Sequence, residues 1–209
     1  MADNYLEKRA QELAEKRPKV VRSHPSLESL LKRNRSYRGF DASRPVTEAD
    51  LLKILEVVPF VGSGMNAQPL RFKLVTGPAT AQVHPLVHLG GALPQEHLPH
   101  PGEEPQAYIV VCSEASGRVV DIDLGIAAQS ILLKATEMGL GGIFILNFQP
   151  AALRDALALP LEPLAVIGLG KPLERIFLVP VSAGDSLDYY RKDGAHFVPK
   201  LQVKDLLIK

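Results

Sequence analysis

The sequence lacks several features that would place a protein in a specialised class. It contains no tryptophan, and its single cysteine, Cys112, excludes an intrachain disulfide. Cys112 ends the apolar run 107–112, where a buried strand thiol is favoured over a reactive one. An excess of charge is also absent, because 24 basic and 23 acidic side chains give a formal net charge of +1. That balance provides no overall field to attract nucleic acid or anionic lipid.

Long hydrophobic runs are missing as well. No stretch approaches the roughly 20 apolar residues that cross a bilayer. Residues 1–22 are charged and lack the apolar centre of a secretion signal, so we expect a cytoplasmic protein. A composition of 46% hydrophobic and 22% charged residues is typical of a soluble globular protein with one substantial core. We therefore expect a single domain over residues 1–209.

Apolar residues recur at helical spacing in several segments. They predict helices over 4–16, 27–34, 48–58, 121–139 and 151–158. Thr47 and Asp50 have the spacing of a cap for the third of these. The helix at 121–139 is nearly apolar all round, so it must be covered on every side. This pattern places it either at the centre of a large core or in a subunit interface.

Short apolar runs rich in β-formers predict strands over 71–76, 107–112, 142–146, 164–169 and 176–179. Residues 77–106 are rich in proline and hold four of the six histidines, which indicates an irregular excursion. The polar tail 186–209 has no helical period, but its aromatic residues predict that it packs on something, such as a second subunit. Helices and strands without strict alternation favour an α+β sandwich with a mixed or antiparallel sheet covered by helices.

The segment 32–38 places three guanidinium groups, those of Arg33, Arg35 and Arg38, beside the hydroxyl of Ser36. Forked guanidinium donors and a hydroxyl are suited to binding a phosphate ester. A solvated charged turn is the alternative interpretation of the same residues.

Two glycine-containing segments are also candidates for ligand binding. In 62–69, glycines allow close approach to a planar ligand, and the amides of Asn66 and Gln68 match the edge of a heterocycle. In 139–147, glycines precede a strand that leads to Asn147, where a backbone N–H could point at a ligand. An ordinary helix-to-strand turn and a helix C-cap are the respective alternatives.

Two other patterns are weaker. The glycines of 168–172 resemble a shortened dinucleotide fingerprint, but Pro172 and a missing third glycine spoil the helix start, so we reject that site. Four histidines could bind zinc, namely His84, His88, His97 and His100. Pro85 lies inside the first pair and argues against a helix there, so no metal site is expected.

Taken together, four motifs resemble the nitroreductase family in order and spacing. They are Arg35-Ser36-x-Arg38, Ser63-x-x-Asn66-x-Gln68-Pro69, a helix with Asp123-Leu-Gly-Ile-Ala-Ala-Gln129, and Gly139-Leu-Gly-Gly142. Each motif is weak alone, but four in register are a strong signal. The resemblance covers about residues 32–172, and the ending Tyr190-Arg-x-x-x-Gly-x-His-x-Val-Pro-Lys200 is similar to that of a shorter subgroup.

This resemblance implies an α+β homodimer with a nitroreductase-like three-layer sandwich, its mixed and mostly antiparallel sheet covered by helices. Each of its two FMN sites would be built from both chains. Arg35, Ser36 and Lys200 would hold the FMN phosphate, with Arg38 near the pyrimidine side of the ring. The partner chain would supply Ser63, Met65, Asn66 and Gln68. The segment with Ile145, Leu146 and Asn147 would lie against the flavin, where a main-chain N–H can contact N5.

The sequence departs from the family pattern at several positions. Asn34 stands where arginine is common, Gly62 replaces a proline, and Leu70 replaces a tryptophan. The pair Leu146 and Asn147 differs from a glycine-containing pair in many relatives. These differences leave FMN binding as the expectation and bear mainly on the substrate.

The implied activity is electron transfer from NADH or NADPH through FMN to a nitroaromatic, quinone or similar small acceptor by a ping-pong route. No catalytic side chain is implied, because the flavin itself is the reactive centre. One alternative is another reaction on the same fold, such as reductive dehalogenation or flavin fragmentation. A second is a non-enzymatic FMN-binding module, and a third is a zinc protein that uses the four histidines.

Overall fold

The computed structural model describes residues 24–91, 93 and 96–208. The helix expected over 4–16 lies outside these residues. Five helices are described: α1 Leu27–Arg33, α2 Glu48–Leu55, α3 Arg118–Glu137, α4 Pro150–Ala156 and α5 Val203–Leu206. Seven strands are described: β1 Leu70–Thr76, β2 Ala107–Ser113, β3 Gly141–Ile145, β4 Glu162–Gly170, β5 Arg175–Val181, β6 Tyr190–Lys192 and β7 Ala195–Leu201.

An antiparallel sheet of four strands in the order β1-β2-β4-β3 forms the centre of the fold. All seven residues of β2 are buried, and they alternate between the two faces of the sheet. Ala107, Ile109 and Val111 join one apolar cluster. Tyr108 and Val110 join a second cluster on the other face. Burial on both faces explains why this strand is a continuous apolar run in the sequence.

Helices α2 and α3 cover the first face. The buried residues that they contribute are Leu51, Ile54, Leu124, Ala128, Ile131, Leu132 and Ala135. Helix α4 covers the second face through Leu153, together with residues from outside the helices such as Phe40 and Val83. One layer is formed by α2 and α3, the central layer by the sheet, and the third layer by α4 with residues outside the helices. This is the three-layer α+β sandwich that the resemblance implied, and the prediction is confirmed.

The excursion at 77–106 is part of that outer layer. It contains two short 3-10 turns, Gly77–Gln82 and His84–Leu86, and the rest of its described residues are mostly irregular. Its residues Val83 and Val87 are buried in the second cluster. The imidazole Nδ1 of His84 lies 2.7 Å from the hydroxyl of Tyr108 in β2. The segment is irregular, as expected, but it closes one side of the core.

Local signals placed the helix starts more accurately than the helix ends. Thr47 and Asp50 form a reciprocal capping box at the start of α2. This helix ends at Leu55, and Pro59 follows within the 3-10 turn Val58–Phe60. Helix α3 is an exception, because it begins at Arg118 where position 121 was expected and ends at Glu137 where position 139 was expected.

The C-terminal tail contains two strands that its polar sequence did not reveal. Strand β7 pairs in parallel with β5, from Arg175 opposite Ala195 to Val181 opposite Leu201. Strand β6 pairs antiparallel with β7, which completes a second sheet in the order β5-β7-β6. Because this small sheet is partly exposed, its strands are not marked by a long apolar run.

Helix α3 keeps an apolar stripe outside the core. Val119, Ile122 and Ile126 are 46%, 51% and 41% exposed in the single chain. They are spaced three and four residues apart, so they lie on one side of the helix. We refer to these three residues as the α3 stripe. None of the helices in the described ranges has the length and apolar character needed to span a bilayer.

Candidate functional site

A cavity of about 410 Å³ lies between the second sheet and residues 34–38, which follow α1 and are called the basic loop. The basic loop contributes Asn34, Arg35, Ser36 and Arg38 to its lining. Lys200 in β7 lies on the same cavity, although it is distant from the loop in sequence. The structure therefore brings together Arg35, Ser36 and Lys200, the expected phosphate ligands. Arg38, which was expected near the pyrimidine side of the flavin ring, lines the same cavity.

The basic loop packs against the start of β3. Ser36 forms a parallel bridge with Gly142, and the N–H of Tyr37 donates a 3.2 Å hydrogen bond to the Gly142 carbonyl. A Cβ at Gly141 would lie only 2.5 Å from Cδ2 of Tyr37. Glycine is thus required for close approach of the two segments. In the same motif, Gly139 has a φ of +78° and follows the end of α3, in agreement with the C-cap interpretation.

The guanidinium groups of the loop are not fully paired. The Nε atoms of Arg35 and Arg38 are buried and have no hydrogen-bond partner among the described residues. Arg35 donates from Nη2 to the Leu31 carbonyl at 2.5 Å, and Arg38 donates from Nη1 to the Ser36 carbonyl at 3.0 Å. Burial lowers the pKa of Arg35, since desolvation disfavours its charge. Buried unpaired donors of this kind favour an anionic ligand.

Strand β7 lines the cavity with alternate residues. His196, Val198 and Lys200 all face it, as the two-residue period of a strand requires. The His196 ring lies 5.0 Å from that of Tyr189, another lining residue. Burial, followed by the charges of Arg38 and Arg191, lowers the pKa of His196 to about 4. Sequence reasoning missed His196 and Tyr189, although the alternation with Lys200 was a signal that could have identified the histidine.

A carboxylate beneath the loop holds Arg38 in place. Glu174 accepts hydrogen bonds from the backbone N–H of Arg38 and from the side chain of Arg191. Arg191 also forms a 3.1 Å ion pair with Glu96 from the excursion. On the cavity side, the guanidinium carbon of Arg38 lies 5.2 Å from the centre of the Tyr189 ring, within the range of a cation–π contact.

A second cavity, of about 230 Å³, is lined by Ser63, Asn66 and Gln68. Ser63 Oγ donates a 2.6 Å hydrogen bond to Asp123 of α3, and it accepts the Gln68 N–H at 2.9 Å. Met65, Asn66 and Gln68 have φ values of 52°, 55° and 47°, a left-handed conformation that is uncommon outside glycine. Such strain is concentrated at functional sites and persists only where the surrounding contacts hold it.

The remaining candidate residues lie apart from both cavity linings. Met65 is 93% exposed, Leu146 is 63% exposed and Asn147 is also exposed, whereas Ile145 is buried in the second apolar cluster. Within a single chain, the phosphate candidates and the loop 63–68 therefore line separate cavities. The candidate histidines are not assembled into a metal site, since no group of three or more metal-ligating side chains occurs among the described residues.

Comparison with known proteins agrees with this architecture. The model of the nitroreductase family matches residues 31–171. A protein of Methanothermobacter thermautotrophicus, assigned as an NADH dehydrogenase/NAD(P)H nitroreductase, is 30% identical over 153 residues, covering 69% of this chain and 76% of its own.

Two solved structures show the same fold. An FMN- and NADPH-dependent nitroreductase of Sphingopyxis sp. strain HMH is 21% identical with a TM-score of 0.61, over 71% of this chain and 89% of its own. A nitroreductase of Exiguobacterium sibiricum in complex with FMN is 16% identical with a TM-score of 0.59, over 73% of this chain and 91% of its own. From the family match over residues 31–171 and the relative at 30% identity, we conclude that this chain belongs to the nitroreductase family of oxidoreductases.

Proposed function

We propose that this protein is an FMN-dependent oxidoreductase that moves electrons from NADH or NADPH to a nitroaromatic, quinone or similar small acceptor by a ping-pong route. One observation carries the proposal. Arg35, Ser36, Arg38 and Lys200 line one cavity, and the Nε atoms of both arginines lack partners among the described residues. The names of the relatives, which include NAD(P)H and FMN, support the same assignment.

The residues of the first cavity fit the phosphate end of FMN. A phosphate monoester carries about −1.5 to −2 charges at pH 7 and has oxygens that accept several hydrogen bonds. Three cationic side chains line the cavity, and none of its described lining residues is acidic. Arginine and lysine beside a hydroxyl are the donors that bind such an anion. Arg35, Ser36 and Lys200 would hold the phosphate.

Arg38 would lie on the pyrimidine side of the flavin. Bound FMN would supply the redox chemistry, accepting two electrons as hydride from the nicotinamide and passing them to the acceptor. The guanidinium group of Arg38 would stabilise negative charge on the reduced ring, in the manner of a preorganised charge. Glu174 and Tyr189 maintain the position of Arg38. No side chain of this site is needed as a general acid.

The complete site would require a second copy of the chain. Ser63, Met65, Asn66 and Gln68 would reach the ring bound by the partner, which accounts for the exposure of Met65 and for the separate cavities of a single chain. Because the loop 63–68 is bonded to Asp123 in α3, it lies next to the α3 stripe. We propose that this stripe packs in a homodimer interface and that the main chain at 145–147 approaches the flavin.

The decisive experiment is to purify the protein, record its absorption spectrum and identify any flavin released by heat. We expect a yellow dimer that contains FMN rather than FAD and is bleached by NADH or NADPH without oxygen. Arg35→Ala should weaken FMN binding at least tenfold, which corresponds to about 1.4 kcal/mol. The matched control is Arg154→Ala, which changes an exposed arginine on α4 whose ion pair with Glu162 is long, at 3.5 Å.

The outcomes separate the alternatives. A bound flavin that neither NADH nor NADPH reduces would indicate a non-enzymatic FMN module. Reduction without turnover of nitroaromatics or quinones would indicate another reaction on the same fold, and anaerobic assays with halogenated substrates would test it. A colourless monomer that does not bind added FMN would overturn the proposal.

A further inference from the structure

Tyr189 contributes a phenol hydroxyl to the first cavity, beside Arg38. Its side chain lines this cavity and is partly exposed in the single chain. Nη2 of Arg38 donates a long 3.5 Å hydrogen bond to the hydroxyl oxygen. No described residue accepts a hydrogen bond from this hydroxyl in return. Since a phenol both accepts and donates, its proton is free to bind a ligand in the cavity.

The ring of Tyr189 is held in place by two neighbours. The guanidinium carbon of Arg38 lies 5.2 Å from the ring centre, and the ring of His196 in β7 lies 5.0 Å away at a tilt of 33°. His196 is only 2% exposed, so it gives the ring a fixed surface to pack against. Arg38 is itself held through its backbone N–H by Glu174. The hydroxyl therefore keeps a defined position relative to the guanidinium group.

The contact with Arg38 makes the Tyr189 hydroxyl a stronger donor. A hydroxyl that accepts a hydrogen bond from a cation is polarised, which strengthens the bond that it donates in turn. The described residues that line the cavity include no carboxylate that competes for this proton. An acceptor on a bound ligand would satisfy it, and a carbonyl oxygen that gains negative charge fits best.

We propose that the Tyr189 hydroxyl donates a hydrogen bond to O2, the carbonyl oxygen on C2 of the flavin. The inference rests on the proposed function, in which Arg38 lies on the pyrimidine side of FMN. The negative charge of a reduced, deprotonated flavin is shared between N1 and O2, so a donor that acts together with Arg38 belongs at this edge. Tyr189 is then a ligand of the ring, whereas Arg35, Ser36 and Lys200 hold the phosphate.

Tyr189→Phe tests the hydroxyl, because it keeps the ring that contacts Arg38 and removes only the oxygen. FMN labelled with ¹³C at C2 and C4 is bound to the full-length protein, and its two carbonyl resonances are recorded by NMR. Loss of a hydrogen bond at O2 reduces the polarisation of this carbonyl, so the C2 resonance should move upfield while that of C4 stays in place. The matched control is Tyr190→Phe, which removes the same atom from a 47% exposed tyrosine outside the cavity lining.

Flavin affinity provides a second readout. The dissociation constants of FMN and riboflavin are measured by flavin fluorescence with the flavin-free full-length protein. Riboflavin has the same ring and no phosphate, so Tyr189→Phe should raise both constants by a common factor of about three to ten. Reduced FMN should lose more affinity than oxidised FMN, because hydrogen bonds to a charged acceptor are stronger. The reduction potential of the bound flavin should therefore fall.

Tyr189→Leu separates the hydroxyl from the ring. Leucine removes the cation–π contact with Arg38 as well as the hydroxyl, so this variant should bind both flavins more weakly than Tyr189→Phe. If Tyr189→Phe matches the wild type and only Tyr189→Leu weakens binding, the ring alone is responsible and the proposal is overturned.

The other outcomes are equally decisive. An unmoved C2 resonance in Tyr189→Phe, a shift at C4 instead, weakening of FMN without riboflavin, or the same changes in Tyr190→Phe would overturn the proposal. In all these cases the wild-type protein still binds FMN and is bleached by NADH or NADPH, so the proposed function survives. If the wild-type protein binds neither flavin, the proposed function and this inference both fail.

Discussion

The hydroxyl of Ser63 and the carboxylate of Asp123 form a 2.6 Å hydrogen bond that joins the loop 63–68 to helix α3. The second carboxylate oxygen of Asp123 accepts the N–H of Gly64 at 2.9 Å. Asp123 is only 4% exposed, so these two hydrogen bonds replace the contacts with water that its carboxylate oxygens lose on burial. The left-handed residues of the loop are thus held against the same helix that carries the α3 stripe.

Replacing Asp123 by alanine should release this loop. We expect Asp123→Ala to lower the free energy of unfolding by about 2–3 kcal/mol, because two hydrogen bonds to a charged acceptor are lost. Chemical denaturation measures this change. Asp121→Ala, on an exposed position of the same helix, should cost less than about 1 kcal/mol. Equal losses in the two variants would show that the contact to Ser63 contributes nothing specific.

The contact between the basic loop and the start of β3 can be tested at Gly142. A Cβ there would meet the carbonyl oxygen of Gly168 at 2.8 Å and Leu132 Cδ2 at 2.6 Å. Gly142→Ala should therefore destabilise the fold by about 1–3 kcal/mol through overpacking and should weaken FMN binding. At Gly125 in α3, no described atom lies within 4 Å of an added Cβ. Thermal unfolding of Gly125→Ala should show unchanged or higher stability, by up to about 1 kcal/mol.

The α3 stripe should be needed for dimerisation. A charge at Ile126 would be buried without a partner in the proposed interface, so Ile126→Glu should be monomeric and should lose FMN. Light scattering during size-exclusion chromatography measures the mass. Ile126→Val keeps the apolar contact and should remain a dimer. A dimeric Ile126→Glu variant would place the interface elsewhere.

Arg38 should affect the redox potential as well as affinity. Arg38→Ala removes a positive charge from the proposed flavin site, which should lower both FMN affinity and the reduction potential, since the reduced ring loses its counter-charge. The potential is measured by equilibration with a reference dye, and Arg154→Ala is the control. An unchanged potential in Arg38→Ala would argue against a position near the ring.

His196 should make the stability of the flavin-free protein depend on pH. Its pKa is about 4 in the folded chain against 6.5 for an ordinary histidine, so the unfolded chain binds more protons between these values. Stability should therefore fall as pH decreases from 6.5 towards 4 and should recover as pH rises. The contribution is at most about 3 kcal/mol. Urea unfolding of His196→Asn should show a smaller loss over this range, and an identical loss would exclude the histidine as the cause.

The sequence was most informative where the signal is local. The capping box of Thr47 and Asp50 and the apolar run of β2 were predicted from neighbouring residues alone. Arg35, Ser36 and Arg38 are close in the chain, so their common cavity was predictable from a single motif. Lys200 was identified only through its resemblance to a family ending, because nothing near it in the sequence indicates a phosphate site.

The roles of His196, Tyr189 and Glu174 could not be predicted in the same way. Each depends on the pairing of β5 with β7 and on the approach of Arg38 to that sheet. When one face of a sheet is exposed and polar, the sequence pattern specifies only weakly which distant strands pair with one another. The hydrogen bonds from Ser63 and Gly64 to Asp123 could not be predicted either, because the helix sequence does not indicate which loop packs against this carboxylate.

By itself, the amino-acid sequence determined where the main helices and the strands of the central sheet lie along the chain, that β2 is buried, and where the basic loop is located. These features follow from side-chain period, capping and turn residues, which act over a few neighbouring positions. Only the tertiary structure decided that β7 returns beside β5, that His196 and Lys200 face Arg35 across one cavity, and that Asp123 anchors the loop 63–68. Contacts between distant segments depend on the packing of the whole chain, and no short stretch of sequence encodes them.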